Sequence, residues 1–287
     1  MAQGTTEFID LTTADTFLME VWSSMVSAAR QEKLVFGAHV DRTPEKDLKP
    51  GQIYRRQRVS HLTATSKSAN TAISYETTTE SEDTLTINNY YYAAFAVEDV
   101  IEPMIKINLI EAYMPEIGYA LQLQEDDTLA ALIDDGTITQ TVGTLATGLT
   151  YDNYVRADQY LNDGQVPDTD RCIIISNAEK ANALKQDQFI NSQYVKLQQG
   201  TSNTGLLGGI LNYPLFVTGN CDGSNAAGHD CVMMHKSAIM FAQQIAPKVN
   251  VGWDRDYYCA KVSALETFGA DFNEAYTSTH AVWMKGL

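Results

Sequence analysis

The stretch QIYRRQRVSHLTATSKSANTAISYETTTESEDTLTINNYYYAAFAV, residues 52–97, decides how this chain folds. Its two flanks, QIYRRQRVSHL and TLTINNYYYAAFAV, look β-like, the second being rich in β-branched and aromatic residues. The middle is mostly Thr, Ser, Ala and Asn, with Ile73 and Tyr75 among its few large apolar groups. Two strands joined through so weakly hydrophobic a middle predict a long hairpin projecting from the body of the protein. A hairpin that cannot bury its own face is marginal in water and needs another surface to lie on. In the second flank Leu85 and Ile87 alternate, and large residues then occupy consecutive positions from Tyr90. That change of period predicts a bulge near Asn88 and Asn89.

Upstream, residues 14–33 carry a helical period, with Phe17, Val21, Met25 and Ala28 on one face. The helix gives way at LVFGAHVDR, where Gly37 acts as breaker, and a polar stretch with Pro44, Pro50 and Gly51 reads as an extended arm. Downstream, residues 97–135 are expected to be helical. Ile110, Met114, Ile117 and Leu121 recur at spacings of four, three and four. Asn108 and Glu111 have the spacing of a capping box. Pro103 and Pro115 fall within this region, and an interior proline costs about 3 kcal/mol or bends the helix.

A Gly- and Thr-rich junction, residues 136–150, leads into an α/β pattern. YDNYVRADQYL and NAEKANALK read as helices, while CIIIS, YPLFVT and CVMMH are short continuous apolar runs suited to buried strands. KSAIMFAQQI reads as a further helix. The tail, residues 247–287, is aromatic and β-like, with Trp253, Tyr257, Tyr258, Phe268, Phe272, Tyr276 and Trp283. Helices and strands therefore occur together in an α+β arrangement.

The 287 residues carry 20 basic and 36 acidic side chains, a net charge of −16. That balance argues against a sequence-reading nucleic-acid binder, which needs a basic face for phosphates. It suits a container wall that must not stick to its cargo, and it equally suits plain solubility. No run reaches the ~18 apolar residues of a membrane helix. The first ten residues lack the basic and apolar regions of a secretion signal, so folding in a cytoplasm is expected. In that setting Cys172, Cys221, Cys231 and Cys259 are expected to be reduced, although Cys221 and Cys231 bracket the loop CDGSNAAGHDC and invite a bridge.

The charges are segregated. Between Arg42 and Lys67 lie seven basic residues and two acids, and between Glu76 and Asp135 fourteen acids and one base. The candidate interface residues are Arg55, Arg56, Arg58 and Lys67 on the hairpin, with Glu98, Asp99 and Glu102 on the acidic side. Their attraction is satisfied either within one subunit or between neighbours, where it would fix register during assembly.

A search for chemistry finds no Walker A loop, dinucleotide fingerprint, GxSxG elbow or HExxH. Gly205 to Gly209 is a glycine-rich turn into a strand. Cys221, His229, Cys231 and His235 are zinc-ligand types, but their spacing matches no usual finger, and ordinary loop and core roles are expected. A triad built on any of His39, His61, His229, His235 or His280 would need a serine and an acid that the sequence alone does not place. The acid runs Glu125-Asp126-Asp127 and Asp134-Asp135 are expected to be solvated helix ends.

Taken in order, several of these strings resemble the major capsid proteins of tailed bacteriophages, the HK97 fold. LVFGAHVDR is similar to the close of that family's N-terminal arm. ISYETTTESEDTLTINNYYYAAFAVEDV resembles the returning strand of its extended loop, and IEAYMPEIGYALQLQEDDTLAALI its spine helix. VPDTDRCIIISNAEKANALKQDQFIN and GLLGGILNYPLFVTGN resemble its A-domain core, and HKSAIMFAQQI the strand-to-helix step leaving that domain. The resemblance implies an N-terminal arm over residues 1–51 and an E-loop over 52–82. A P-domain with the spine helix would follow over 83–145, an A-domain over 146–246, and closing P-domain and A-domain segments over 247–287.

The family further implies a structural, non-enzymatic subunit without cofactors or metal. It self-assembles as hexamers and pentamers into an icosahedral head around double-stranded DNA, with portal and scaffolding proteins as partners and no membrane. Each E-loop would lie across a neighbour. Some relatives lock the shell with a Lys–Asn isopeptide bond, most do without it, and Lys67 is the E-loop lysine at which such a bond would be tested here, with no partner asparagine assigned. An encapsulin-like compartment shell is the alternative within the fold. An α/β enzyme is the alternative outside it.

Overall fold

The computed structural model describes residues 34–48, 51–59, 62–78, 80–100, 109–134, 136–186, 209–211, 213–224, 226–273 and 279–287. The expected helix over 14–33, His61, Glu102, Pro103, Asn108, Asp135 and the Gly205–Gly208 turn lie outside them.

The described chain opens with two short 3-10 turns, Phe36–Ala38 and Thr43–Lys46. Strand β1 (Ile53–Val59) and β2 (Glu80–Thr86) form an antiparallel hairpin with register Ile53↔Thr86 to Val59↔Glu80. Strand β3 (Asn89–Glu98) follows, and then α1 (Leu109–Ala131). After β4 (Thr141–Gly143) come α2 (Tyr151–Asp163), β5 (Arg171–Ser176) and α3 (Asn177–Ala183). Next are β6 (Gly209–Ile210), β7 (Tyr213–Thr218), β8 (Gly223–Ser224) and β9 (Gly228–His235). The long strands β10 (Ile239–Asp254) and β11 (Cys259–Phe272) and the short β12 (Ala281–Lys285) complete the chain.

Among the described residues these strands make three main sheets: the β1–β2 ribbon, the order β10-β11-β3, and a mixed sheet β4-β12-β9-β5-β7-β6 with β8 on β9. The mixed sheet is buried on both faces. Every residue of β5 is buried, so the all-apolar run CIIIS needs no alternation. One face packs with Leu149, Tyr154, Ala157 and Leu161 of α2 and its approach. The other packs with Phe36, Leu129, Ile133, Phe241 and Phe268. α1 lies on the three-stranded sheet, where Ile117 and Leu121 meet Val262 and Ala264, with Ile110 and Met114 alongside. Those four helix residues are the ones the sequence period selected. The helix continues through Pro115. The ring removes the N–H that would have bonded the Glu111 carbonyl, without ending the helix.

Four expectations require correction. KSAIMFAQQI is not a helix: a 3-10 turn at Lys236–Ala238 leads directly into β10. Ile239, Met240, Phe241 and Ala242 are all buried, and four consecutive buried residues suit a strand covered on both faces, whereas a helix there would turn a side outward. The helical stretch does not begin at residue 97, because Val97 and Glu98 are paired in β3 against Ala260 and Cys259. No bulge sits at Asn88 and Asn89. The chain changes sheets there, β2 staying with β1 while β3 joins β11. Ladder irregularities occur instead in β10, between Gln243 and Lys248. Glu125 and Asp126 are not solvated helix ends, for reasons given below.

Candidate assembly interface

The hairpin's base belongs to the body. Leu85 and Ile87 are fully buried with Leu48, Met240 and Ala242, and Tyr54 packs against them. Along β1 exposed and half-buried residues alternate, as in a ribbon covered on one side at most. The arginines follow that alternation. Arg55 pairs with Glu82 at 2.9 Å, both side chains about half exposed (59% and 48%), so the pair contributes little. Arg56 lies between Asp41 and the buried Asp83, 3.7 Å from each. Arg58 reaches Asp83 at 3.5 Å and donates to the Ser81 hydroxyl at 2.8 Å. These three arginines are therefore engaged inside their own subunit, within the hairpin and with the preceding arm.

Beyond Val59 the ladder stops. Described residues 62–78 form no strand and are exposed throughout. Val59 (79% exposed), Leu62 (69%), Ile73 (63%) and Tyr75 (92%) present apolar surface to solvent. Glu76 accepts both the backbone N–H and the hydroxyl of Thr63 at 3.0 Å, which closes the base of the tip. Asn70 takes the left-handed conformation (φ 66°) at its turn. Lys67 is exposed on this tip.

The acidic side lies elsewhere. β3 runs from Asn89, next to the hairpin, to Glu98, a span of roughly 30 Å at the rise of an extended strand. Glu98 is exposed opposite Cys259. The Asp99 carboxylate accepts the Trp253 indole N–H at 3.0 Å, and its backbone N–H donates to the Tyr258 carbonyl. Trp253, Tyr257 and Tyr258 are themselves exposed. Glu98 and Asp99 therefore lie at the end of β3 away from the hairpin that carries the arginines and Lys67.

Sequence reasoning missed the site that anchors the arm. Asp126 on α1 accepts the backbone N–H groups of Val35 and Gly37 and the Asn220 side-chain amide. Its neighbour Glu125 binds the Arg42 guanidinium, which also donates to the Gly37 carbonyl and stacks over the Phe241 ring. Burial raises the pKa of both carboxyls, opposed at Glu125 by Arg42 and at Asp126 by the arm's N–H groups. Glu266 on β11 completes the cluster: burial pushes it to about 7, with Glu125 adding to the rise and the Gln243 hydrogen bond opposing it. The only sequence signal was three consecutive acids in a helix with an apolar stripe.

Among the described residues no three His, Cys, Asp or Glu side chains are grouped to hold a metal, and no helix is long and apolar enough to cross a membrane. All four cysteines are buried and unbridged. His235 and His280 meet edge to face at 5.7 Å. Burial and the neighbouring His235 lower the His280 pKa to about 4, as expected of packed imidazoles kept neutral.

Comparison with known proteins gives a consistent answer. A family model described as phage capsid protein matches residues 19–277. No curated protein sequence matches. The fold is similar to a solved structure of Mycobacterium phage Che8, with TM-score 0.82, 20% identity, 94% of this chain and 97% of that one covered. It is similar to the capsid of cyanophage P-SCSP1u, with TM-score 0.78, 14% identity, and 95% and 94% covered. It is also similar to the mature capsid of bacteriophage PhiM1, with TM-score 0.72, 11% identity, and 94% and 93% covered.

Proposed function

The chain belongs to the phage capsid protein family, and from that premise we propose how its parts serve an icosahedral shell. It is a structural major capsid protein with an HK97-like fold; the encapsulin-like alternative is not favoured. In the proposed arrangement residues 52–82 are the E-loop, α1 with β3, β10 and β11 is the P-domain, and the mixed sheet with α2 and α3 is the A-domain. Hexamers and pentamers of this subunit enclose double-stranded DNA as non-specific cargo. Assembly takes place in the host cytoplasm with portal and scaffolding proteins. The subunit acts without enzymatic chemistry.

The observation that carries this reading is the exposed tip, residues 62–78, with Leu62, Ile73 and Tyr75 facing solvent and no ladder beneath them. An isolated two-stranded ribbon of this kind gains its stability from a surface it lies on. A neighbouring copy supplies that surface. Lys67 on the tip of one copy and Glu98, Asp99 and Glu102 of the next are the charged groups brought together, since Arg55, Arg56 and Arg58 already have partners at home.

The test is expression of the chain alone followed by negative-stain electron microscopy. Closed shells or rings of subunits are expected. A persistent monomer under every salt, pH and crowding condition overturns the reading.

A further inference from the structure

The loop CDGSNAAGHDC, residues 221–231, plays no part in the assembly reading. β8 and β9 pair Gly223 with His229 and Ser224 with Gly228. Asp230 donates its backbone N–H to the Asp222 carbonyl at 2.9 Å, extending the same register by one pair. One further step sets Cys221 opposite Cys231. Bonded and non-bonded pairs alternate in an antiparallel ladder, so the pair after a bonded one has its Cα atoms roughly 4.5 Å apart. Disulfides span Cα separations of roughly 4.4–6.8 Å.

Two glycines fix this approach. Gly223 and Gly228 hold φ of +108° and +98°, and a Cβ on Gly223 would lie 2.1 Å from the Gly228 carbonyl oxygen. Both thiols are buried, at 4% and 0% exposure. They share a side-chain hydrogen bond, and Cys231 Sγ accepts the Ser176 backbone N–H at 3.4 Å. The other cysteines lack such a mate: Cys172 lies opposite Met234, and Cys259 opposite Asp254 and Glu98.

We propose that Cys221 and Cys231 form a disulfide when the chain meets a small-molecule disulfide of the glutathione type. One cysteine loses its proton, and the thiolate attacks a sulfur of the glutathione disulfide, expelling one glutathione thiolate and leaving a mixed disulfide. The second cysteine, deprotonated in turn, attacks the protein sulfur of that mixed disulfide and expels the second glutathione. Two protein thiols are oxidised, one glutathione disulfide is reduced to two thiols, and the two protons go to the departing thiolates. The link closes the base of the β8–β9 hairpin, where Cys221 borders a cleft also lined by Gln124, Asp127 and Thr128 of α1. A chain made in a reducing cytoplasm carries the pair open, and an oxidising exterior closes it.

The hydrogen bond that the Cys221 thiol donates to Cys231, and then burial, hold Cys221 protonated, so closure is slow on the folded chain and faster while it folds. The test therefore has two arms. In one, the folded protein is equilibrated with oxidised glutathione; in the other, the denatured chain is refolded in a glutathione redox buffer. Both are alkylated in denaturant and mapped by mass spectrometry. A peptide linking Cys221 to Cys231 is expected, with Cys172 and Cys259 alkylated and a melting temperature raised by a few degrees. A C172S/C259S variant keeps the link and a C221S variant loses it. Linkage in either arm supports the proposal. Four alkylated cysteines in both arms, or a link through Cys172 or Cys259, overturns it.

Discussion

Asp126 accepts the backbone N–H of Gly37 at 3.1 Å, joining α1 to a turn 89 positions earlier in the chain. The same carboxylate holds Val35, and Glu125 holds Arg42. A helix that packs on one sheet through Ile117 and Leu121 thus grips the arm with two adjacent carboxylates of its C-terminal half. The arm also buries Val35, Phe36, Val40 and Leu48, and the carboxylates add to that packing acceptors for backbone N–H groups that the short 3-10 turns leave without a helical partner.

Replacing Asp126 by Ala is expected to lower unfolding stability by roughly 2–4 kcal/mol, because buried donors lose their acceptor. Limited proteolysis should then cut within residues 34–48 sooner than in the parent. Asp126→Asn, which retains one carbonyl oxygen, should fall between. Parent-like denaturation curves and digestion for Asp126→Ala would remove the anchoring role.

Glu266 sets a pH dependence whose sign follows from its raised pKa of about 7, against an ordinary 4.5. A carboxyl held protonated in the fold contributes stability that is complete below the ordinary value and is lost as pH rises through the folded one. The facing groups are Gln243 on β10, Glu125 on α1 and Arg42 on the arm. The melting temperature of the parent should therefore drop across that window relative to Glu266→Gln. Parallel profiles for the two proteins would show that Glu266 does not titrate there.

Arg171, whose side chain is wholly buried, meets Asp158 at 2.9 Å and Asp168 at 3.0 Å and donates to the carbonyls of Val166 and Pro167 and to the Tyr213 hydroxyl. Arg171→Met leaves Asp158 and two carbonyls without their donor and should cost roughly 3–5 kcal/mol. Chemical denaturation measures it. A loss under about 1 kcal/mol would mean that water replaces the guanidinium at little cost.

Deleting the exposed tip separates folding from assembly. With residues 62–78 replaced by Asn-Gly, the subunit should melt within about 2 °C of the parent, since the removed side chains touch no core. Shells should be absent by electron microscopy. Shells that form regardless would show that the tip is not the element that joins neighbours.

Much of this fold was present as local pattern. The period of Ile110, Met114, Ile117 and Leu121 named the buried face of α1, and CIIIS, YPLFVT and CVMMH named three strands of the mixed sheet, because periodicity and apolar runs report burial directly. The weak middle of the hairpin announced its exposure for the same reason. What the local pattern could not supply was which long-range partner each segment meets. IMFA is equally apolar as helix or strand, and pairing with residues near Phe272 made it a strand. Two successive strands at residues 80–98 went to different sheets, a choice made by distant β1 and β11. Glu125 and Asp126 look like any acidic helix end until the arm, some ninety positions away, brings donors to them. The sequence by itself determined which surfaces are apolar and which are not. Only the tertiary structure decided the polar contacts, since a hydrogen bond or ion pair depends on two groups meeting at a set distance, and neither carries a record of the other in its own neighbourhood.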